Sequence, residues 1–203
     1  MNIKHLIESR VSVNRFDTSR ALSDADISEL VRLATLAPSA YNFQNWKFIA
    51  VRTPQAKERL KEVAFGQQKV ADAPVTFIVV GTLEAHVGLP QALQPSVDAG
   101  IMPQTVADVW VGMARHTHPG NPQLQRDEAL RSGSLAAMTM MLAAEGMGLA
   151  SSAMSGFSVA GVKREFKLGA ADVPVMLLSI GYAAAGNWPQ KARKPLQEVM
   201  EFA

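Results

Sequence analysis

ATLAPSAYNFQNWKFIAVR, residues Ala34 to Arg52, runs from the end of an amphipathic helix into a buried strand. Pro38 stops the helix, because its ring removes a backbone donor and pushes the preceding residue out of helical geometry. Trp46 to Val51 reads as the strand. The turn between them, Ser39 to Asn45, offers a hydroxyl and three side-chain amides with no charged residue. Such groups suit a neutral, planar, heteroatom-rich ligand better than a metal or a phosphate. The same residues also serve an ordinary turn, in which Ser39 and Asn42 hydrogen-bond the local backbone.

Outward from this stretch, composition sets the bounds. A chain of 203 residues with 48% hydrophobic content buries a core as one domain, or at most two. A net charge of +2 gives no nucleic-acid footprint. There is no cysteine, so disulfides, cysteine–zinc sites and thiol nucleophiles are excluded. The N-terminal MNIKHLIESR has no long apolar run, and no segment approaches the roughly 20 apolar residues of a membrane span. A cytoplasmic protein with no nucleic-acid and no membrane partner is expected.

Before the opening stretch, Asn2 to Ser9 reads as a short helix with Ile3, Leu6 and Ile7 on one side. Arg10, Ser12 and Asn14 then alternate, so an extended segment projects all three to one side, although a plain polar loop has the same spacing. Ser23 and Asp26 form a capping box ahead of the Ile27, Leu30, Val31 and Ala34 stripe. After the strand, Thr53-Pro54 starts a helix that runs to about Ala64, and Pro74 to Gly81 is a continuous apolar strand. Gln67 and Lys69 lie between these two core elements.

Residues 84 to 122 are rich in breakers: Gly88, Pro90, Pro95, Gly100, Pro103, Pro119 and Pro122. One helix is predicted there, Thr105 to Arg115, with Val106, Val109, Trp110 and Met113 on one face. His116-Thr117-His118 lacks nearby carboxylates or cysteines, so no metal site is expected. Asp127 to Met147 is the longest predicted helix, apolar on most faces through Leu135, Met138 and Leu142. That pattern fits central core, an oligomer seam or a Met-rich groove for a peptide. Gly148 to Phe157 reads as a strand and a small-residue turn that lets a flat ring approach the backbone, followed by Ser158 as a helix cap. Val173 to Ala183 is the last buried strand, and Lys191, Arg193 and Lys194 lie in a proline-flanked basic tail. Helices alternating with about four buried strands indicate a single α+β or α/β domain. No G-x-G-x-x-G follows a first strand and no Walker loop is present. A serine hydrolase using Ser39 or Ser155 lacks its G-x-S-x-G elbow, because position 153 is Ala.

Four separated patterns nevertheless occur in one order: Arg10-x-Ser12 with Phe16; Ala37-Pro38-Ser39 with Asn42, Gln44, Trp46 and Phe48; Ser155-Gly156-Phe157; and Lys191-x-Arg193. Together they resemble the flavin-dependent nitroreductase family, in particular its short NAD(P)H-dependent members. Asn45 stands where that family usually has proline, and Asn14 where it usually has a cation. The resemblance implies an α+β nitroreductase-like fold with a central mixed β-sheet of four to five strands flanked by helices. It implies one domain over 1–203, with 84–122 as a variable cover over the flavin and 184–203 as a C-terminal tail. The implied cofactor is FMN, held at its phosphate by Arg10, Lys191 and Arg193. Ser39, Asn42, Gln44, Gln67 and Lys69 are the implied ring-edge partners. Ser12, Asn14 and Pro38 complete the cofactor set, with Ala153, Met154, Ser155 and Gly156 on the side of the reactive flavin nitrogen. Tyr41, Phe43 and Trp110 are the substrate-side candidates, and no side chain is itself expected to be catalytic. The implied activity is a ping-pong oxidoreductase that takes hydride from NADH or NADPH and reduces a nitroaromatic, quinone or similar small electron acceptor. A homodimer with FMN at its interface is the implied assembly. Flavin-linked dehydrogenation, reductive dehalogenation and non-catalytic flavin carriage are the alternatives on the same fold.

Overall fold

The computed structural model describes residues 2–203. Twelve regular elements follow the chain: α1 (Ile3–Ser9), α2 (Asp24–Ala34), β1 (Trp46–Val51), α3 (Pro54–Val63), α4 (Gln68–Asp72), β2 (Val75–Thr82), α5 (Ala85–Asp98), α6 (Gln104–Thr117), α7 (Pro122–Gly146), β3 (Ala150–Met154), α8 (Val159–Glu165) and β4 (Asp172–Gly181). The fold is α+β, with one four-stranded sheet in the order β1-β2-β4-β3. Every strand pair is antiparallel, so the sheet is not mixed as expected; the parallel pairing is confined to the single bridge Ser12–Ser151. The chain reaches β3 only after α5, α6 and α7, and β4 then inserts between β2 and β3, antiparallel to both.

The caps read from the sequence are formed. Ser23 Oγ accepts from the Asp26 N–H at 3.1 Å, and Asp26 Oδ2 accepts from the Ser23 N–H at 3.0 Å. Thr53 and Ser158 cap α3 and α8. Helix α7 starts five residues earlier than expected, because Asn121 Oδ1 accepts from the Leu124 N–H at 3.1 Å and Pro122 takes the first turn.

One face of the sheet packs on α2 and α7 through Leu30, Phe77, Val79, Met140, Leu178 and Ile180, all fully buried. The face of α7 turned to the sheet is small: Ala129, Gly133, Ala136, Ala137 and Ala144. Helix and strand therefore approach backbone to backbone. A Cβ on Gly81 would sit 2.3 Å from the Ala129 carbonyl oxygen, and one on Gly133 would sit 2.8 Å from Val175 Cγ2. Leu135 and Met138 are left on the outer face of α7, 41% and 38% exposed. The other face of the sheet carries α3, α4 and α8 through Leu60, Val70, Ile78, Val162 and Leu177. Among the described residues, no helix is long and apolar enough to cross a membrane.

The 84–122 region differs most from expectation. It holds two fourteen-residue helices, α5 and α6, and α5 contains both Pro90 and Pro95. Proline costs an interior helical hydrogen bond. Here the buried Leu89 and Leu93 pack with Phe43, Ala107 and Ala114, and that burial outweighs the local penalty.

Candidate functional site

Segment 12–17 is stitched to the end of the sheet. The Val13 N–H donates to Ser151 O at 3.1 Å, the Asp17 N–H donates to Tyr182 O at 2.8 Å, and Phe16 bridges Ala183. Val13 is buried and its neighbours Ser12 and Asn14 are exposed, as extended alternation requires; Phe16 is buried out of that register. The tail returns along this segment. Arg10, Val11, Ser12, Pro189, Gln190, Lys191 and Arg193 line a cavity of about 120 Å³. Lys69, on α4, joins the same field: burial first, and then the charge of Lys191, pushes its ammonium below the usual lysine range. Among the described residues, no carboxylate pairs with Arg10, Lys69, Lys191 or Arg193. Cations gathered without a counter-charge repel one another. The arrangement suits a multiply charged anion such as a phosphate, which arginine grips through its planar fork.

Next to this cleft lies the turn after β3. Gln67 Nε2 donates to Gly156 O at 2.7 Å and to Ala64 O at 3.1 Å. Both amide protons are thus committed, and Gln67 has only its oxygen left for a ligand. The Ser158 N–H donates to Val63 O at 2.8 Å, a second tie between the α3–α4 junction and this turn. The N–H groups of Ser155 and Gly156 have no backbone acceptor, and both residues are exposed. Ala153 is exposed as well, but the Met154 side chain is buried against Leu60, Val162 and Leu177. Met154 therefore offers a ligand its backbone alone.

Phe65 is not among the expected site residues. It adopts a left-handed φ of 57° while 72% exposed, beside Gly66 at φ 74°. A bulky residue in that region is strained, and such strain clusters at functional sites. The available signal was an aromatic–glycine pair directly ahead of Gln67.

The Pro38–Gln44 turn is built differently. Ser39 Oγ accepts from the Gln44 N–H at 2.9 Å, and a single 3₁₀ turn spans Ala40–Asn42. Tyr41, Asn42 and Gln44 all have positive φ, 50°, 58° and 49°. Asn42 tolerates this region, but Tyr41 and Gln44 each cost about 1 kcal/mol or more, so tertiary contacts must hold the turn. They come from the cover. Phe43 is only 5% exposed and lies edge-on to His118 at 5.1 Å, while Tyr41 meets Trp110 edge-on at 6.3 Å. Phe43 is thus an anchor inside the cover and does not face a substrate, contrary to expectation; Trp110 is half-buried in the same cluster. His118 also stacks on His86 at 5.9 Å, with both rings buried, whereas His116 stays exposed. The two histidines of the H-T-H triplet therefore share no site.

The left-handed turn also accounts for Asn45. A residue ahead of proline is pushed to extended backbone, so the left-handed Gln44 and a non-proline at 45 go together. Neither Ser39 nor Ser155 hydrogen-bonds a histidine among the described residues, which leaves the hydrolase alternative without its base.

The sequence profile of the Nitroreductase family matches residues 7–182. The chain belongs to the nitroreductase family. It is 31% identical over 198 residues to the Bacillus subtilis protein named "Putative NAD(P)H nitroreductase YodC", covering 98% of this chain and 97% of that one. A Thermus thermophilus protein named "NADH dehydrogenase" is 29% identical over 180 residues, 86% of this chain and 83% of that one. The fold superposes with a TM-score of 0.92 on an Exiguobacterium sibiricum structure described as a "putative nitroreductase in complex with FMN". That structure shares 28% identity and is covered over 98% of its length by all of this chain.

In this nitroreductase the expected site residues fall into two groups. Arg10, Ser12, Gln67, Lys69, Ser155, Gly156, Lys191 and Arg193 gather on the β3 side. Pro38, Ser39, Tyr41, Asn42 and Gln44 precede β1, the opposite edge strand. Three interstrand spacings separate the edges, about 14 Å. The register adds about 13 Å along the strands, because Trp46 aligns through Gly81 with Val173 while Met154 aligns with Leu177. The two groups thus leave the sheet at opposite edges.

Proposed function

We propose that this chain is an FMN-dependent oxidoreductase that uses NADH or NADPH to reduce a small electron acceptor of the nitroaromatic or quinone kind. The observation that carries the reading is the cleft lined by Arg10, Lys191 and Arg193, three cations with no carboxylate partner, with Lys69 near enough to feel the charge of Lys191. Its size and charge fit the single phosphate of FMN, and the sequence has no dinucleotide fingerprint. Bound there, FMN would supply the two-electron chemistry, alternating between NAD(P)H and the acceptor in ping-pong order. The net balance is NAD(P)H, one proton and the oxidised acceptor giving NAD(P)⁺ and the two-electron-reduced acceptor.

The chain's own part is binding and orientation. Arg10, Lys191 and Arg193 neutralise the phosphate. The Ser155 and Gly156 N–H groups would be the donors offered to the ring, and Gln67 fixes their turn through the Gly156 carbonyl. Phe65 lends an exposed aromatic face to the acceptor side. The cytoplasm, with its supply of NAD(P)H, is the compartment this activity needs.

A second copy of the chain completes the site by bringing its own Ser39–Gln44 turn to the cleft. The division of the site between opposite sheet edges supports this reading, as do Ile3, Ile7, Leu135 and Met138, apolar residues left on the outer faces of α1 and α7. Titrating the flavin-free protein with FMN and FAD while following flavin fluorescence tests the cofactor, and light scattering tests the assembly. A protein that neither carries nor takes up FMN sinks the functional reading. A monomer of 21.9 kDa that is fully active with FMN sinks the shared site.

A further inference from the structure

We propose that Asn187 is a positioning residue, a latch that sets the phosphate-binding cations of the tail against Arg10 of the N-terminal segment. This inference rests on the flavin reading above. The Asn187 side chain is hydrogen-bonded at all four positions. Its Oδ1 accepts from the Asn14 N–H at 2.7 Å and the Arg15 N–H at 3.0 Å. Its Nδ2 donates to Arg15 O at 2.8 Å and Ala184 O at 2.9 Å. The amide uses both lone pairs and both protons, so it fastens to Arg15 much as a neighbouring peptide would in a sheet. Aspartate cannot reproduce the donors, and leucine reproduces nothing.

The chain is bent to make this contact. Gly186 has φ 84°, a conformation that favours glycine, and the Arg15 side chain lies close beside it. Beyond Asn187 the tail makes hydrogen bonds and ion pairs only with itself, among the described residues. Arg193 donates to Lys191 O and Gln190 Oε1, the Glu198 and Val199 N–H groups turn back on Pro195 and Leu196, and Lys194 pairs with Glu198. The last polar attachment of residues 187–203 to the body of the fold is therefore one side chain. From that point two segments run side by side to the cleft: back along the chain from Arg15 to Ser12 and Arg10, and forward from Asn187 to Lys191 and Arg193. With the latch gone, Arg10 and the Lys191–Arg193 pair remain, but they are no longer held opposite each other, and effective binding of one small dianion by two segments depends on that alignment.

The test compares wild type, Asn187→Leu, Asn187→Asp and Arg193→Ala in two measurements on protein freed of flavin. The first is hydrogen exchange at the Asn14 and Arg15 amides. The second is FMN affinity by fluorescence titration. Asn187→Leu is expected to lose protection at both amides and to raise the FMN Kd about tenfold or more, while melting as a folded protein. Asn187→Asp, which keeps the acceptor, should keep amide protection and fall between the two in affinity. Arg193→Ala should weaken FMN while leaving the amides protected, which separates a phosphate ligand from a residue that positions one. Unchanged exchange in Asn187→Leu overturns the latch. Lost protection with unchanged FMN affinity overturns its positioning role. If wild type itself takes up no FMN, the flavin reading and the positioning role both fail, and the exchange measurement alone decides whether the latch exists.

Discussion

Replacing Lys69 with methionine should move two properties in opposite directions. Its ammonium is half-buried, faces Lys191 and has no carboxylate partner, so burial and then repulsion hold it below the usual lysine range. In flavin-free protein the charge is therefore a liability, and Lys69→Met, which keeps the aliphatic stem, should raise the melting temperature. The sign fixes the pH window. A lysine whose folded pKa is depressed destabilises the fold at pH values below that pKa. The penalty fades as pH rises through it towards the ordinary lysine value near 10.4. The advantage of the variant should thus be full at neutral pH and vanish in alkali. With FMN bound, the same charge would gain an acceptor at the ring edge and feel the phosphate held by Arg10, Lys191 and Arg193. Two unit charges about 4 Å apart interact by roughly 4 kcal/mol at an effective dielectric near 20, a ceiling that exposure and salt reduce. A charge-assisted hydrogen bond retains about 1.5–3 kcal/mol, or about 10- to 150-fold in Kd. Thermal melts of flavin-free protein from neutral to alkaline pH, with FMN titrations of both proteins, supply the numbers. A lower melting temperature in the flavin-free variant, or an FMN affinity within twofold of wild type, refutes the reasoning.

Two further substitutions probe the scaffold. Asp172 accepts from Lys47 Nζ at 2.8 Å and from the Gly169 N–H at 2.9 Å; burial raises its pKa, but these bonds and the nearby Lys47 and Lys163 charges outweigh it and hold the carboxyl below its usual range. Asp172→Asn should cost about 1 kcal/mol at neutral pH. A depressed carboxylate stabilises above its unfolded pKa near 3.9 and loses that effect as pH falls through its folded value, so urea melts of the two proteins should converge in acid. Gly81→Ala drives a methyl group to 2.3 Å from the Ala129 carbonyl oxygen, where neither backbone can yield cheaply. It should cost about 3 kcal/mol or abolish folding, as read by chemical denaturation, and a loss below about 1 kcal/mol would mean that α7 lifts easily from the sheet.

Much of this was legible because local chemistry and tertiary demand agree. Strand β1 occupies Trp46–Val51 as read, and the Ser23, Thr53 and Ser158 caps form where the side-chain oxygens predict. What stayed hidden depends on contacts between distant segments. Pro90 and Pro95 argue against a helix unless the burial of Leu89 and Leu93 against α6 is known. Nothing near Asn187 in sequence announces Asn14 and Arg15 as its partners. Phe43 reads as a ligand-side aromatic until the histidine behind it is seen. Met154 sits in a promising motif but alternates inward along β3. The antiparallel pairing of β4 with β3 could not be read either, since strand partners are set by the path of α5 to α7.

The strand order β1-β2-β4-β3 has a genetic corollary. If each site is completed by two chains, damage to the β1 edge and damage to the β3 edge fall on different contributors. A homodimer of Ser39→Ala spoils both its sites, and so does a homodimer of Arg193→Ala. In a heterodimer of the two, one site receives both lesions and the other receives neither. Co-expression of two defective alleles should therefore restore one intact site per mixed dimer, whereas two lesions on the same edge should never complement.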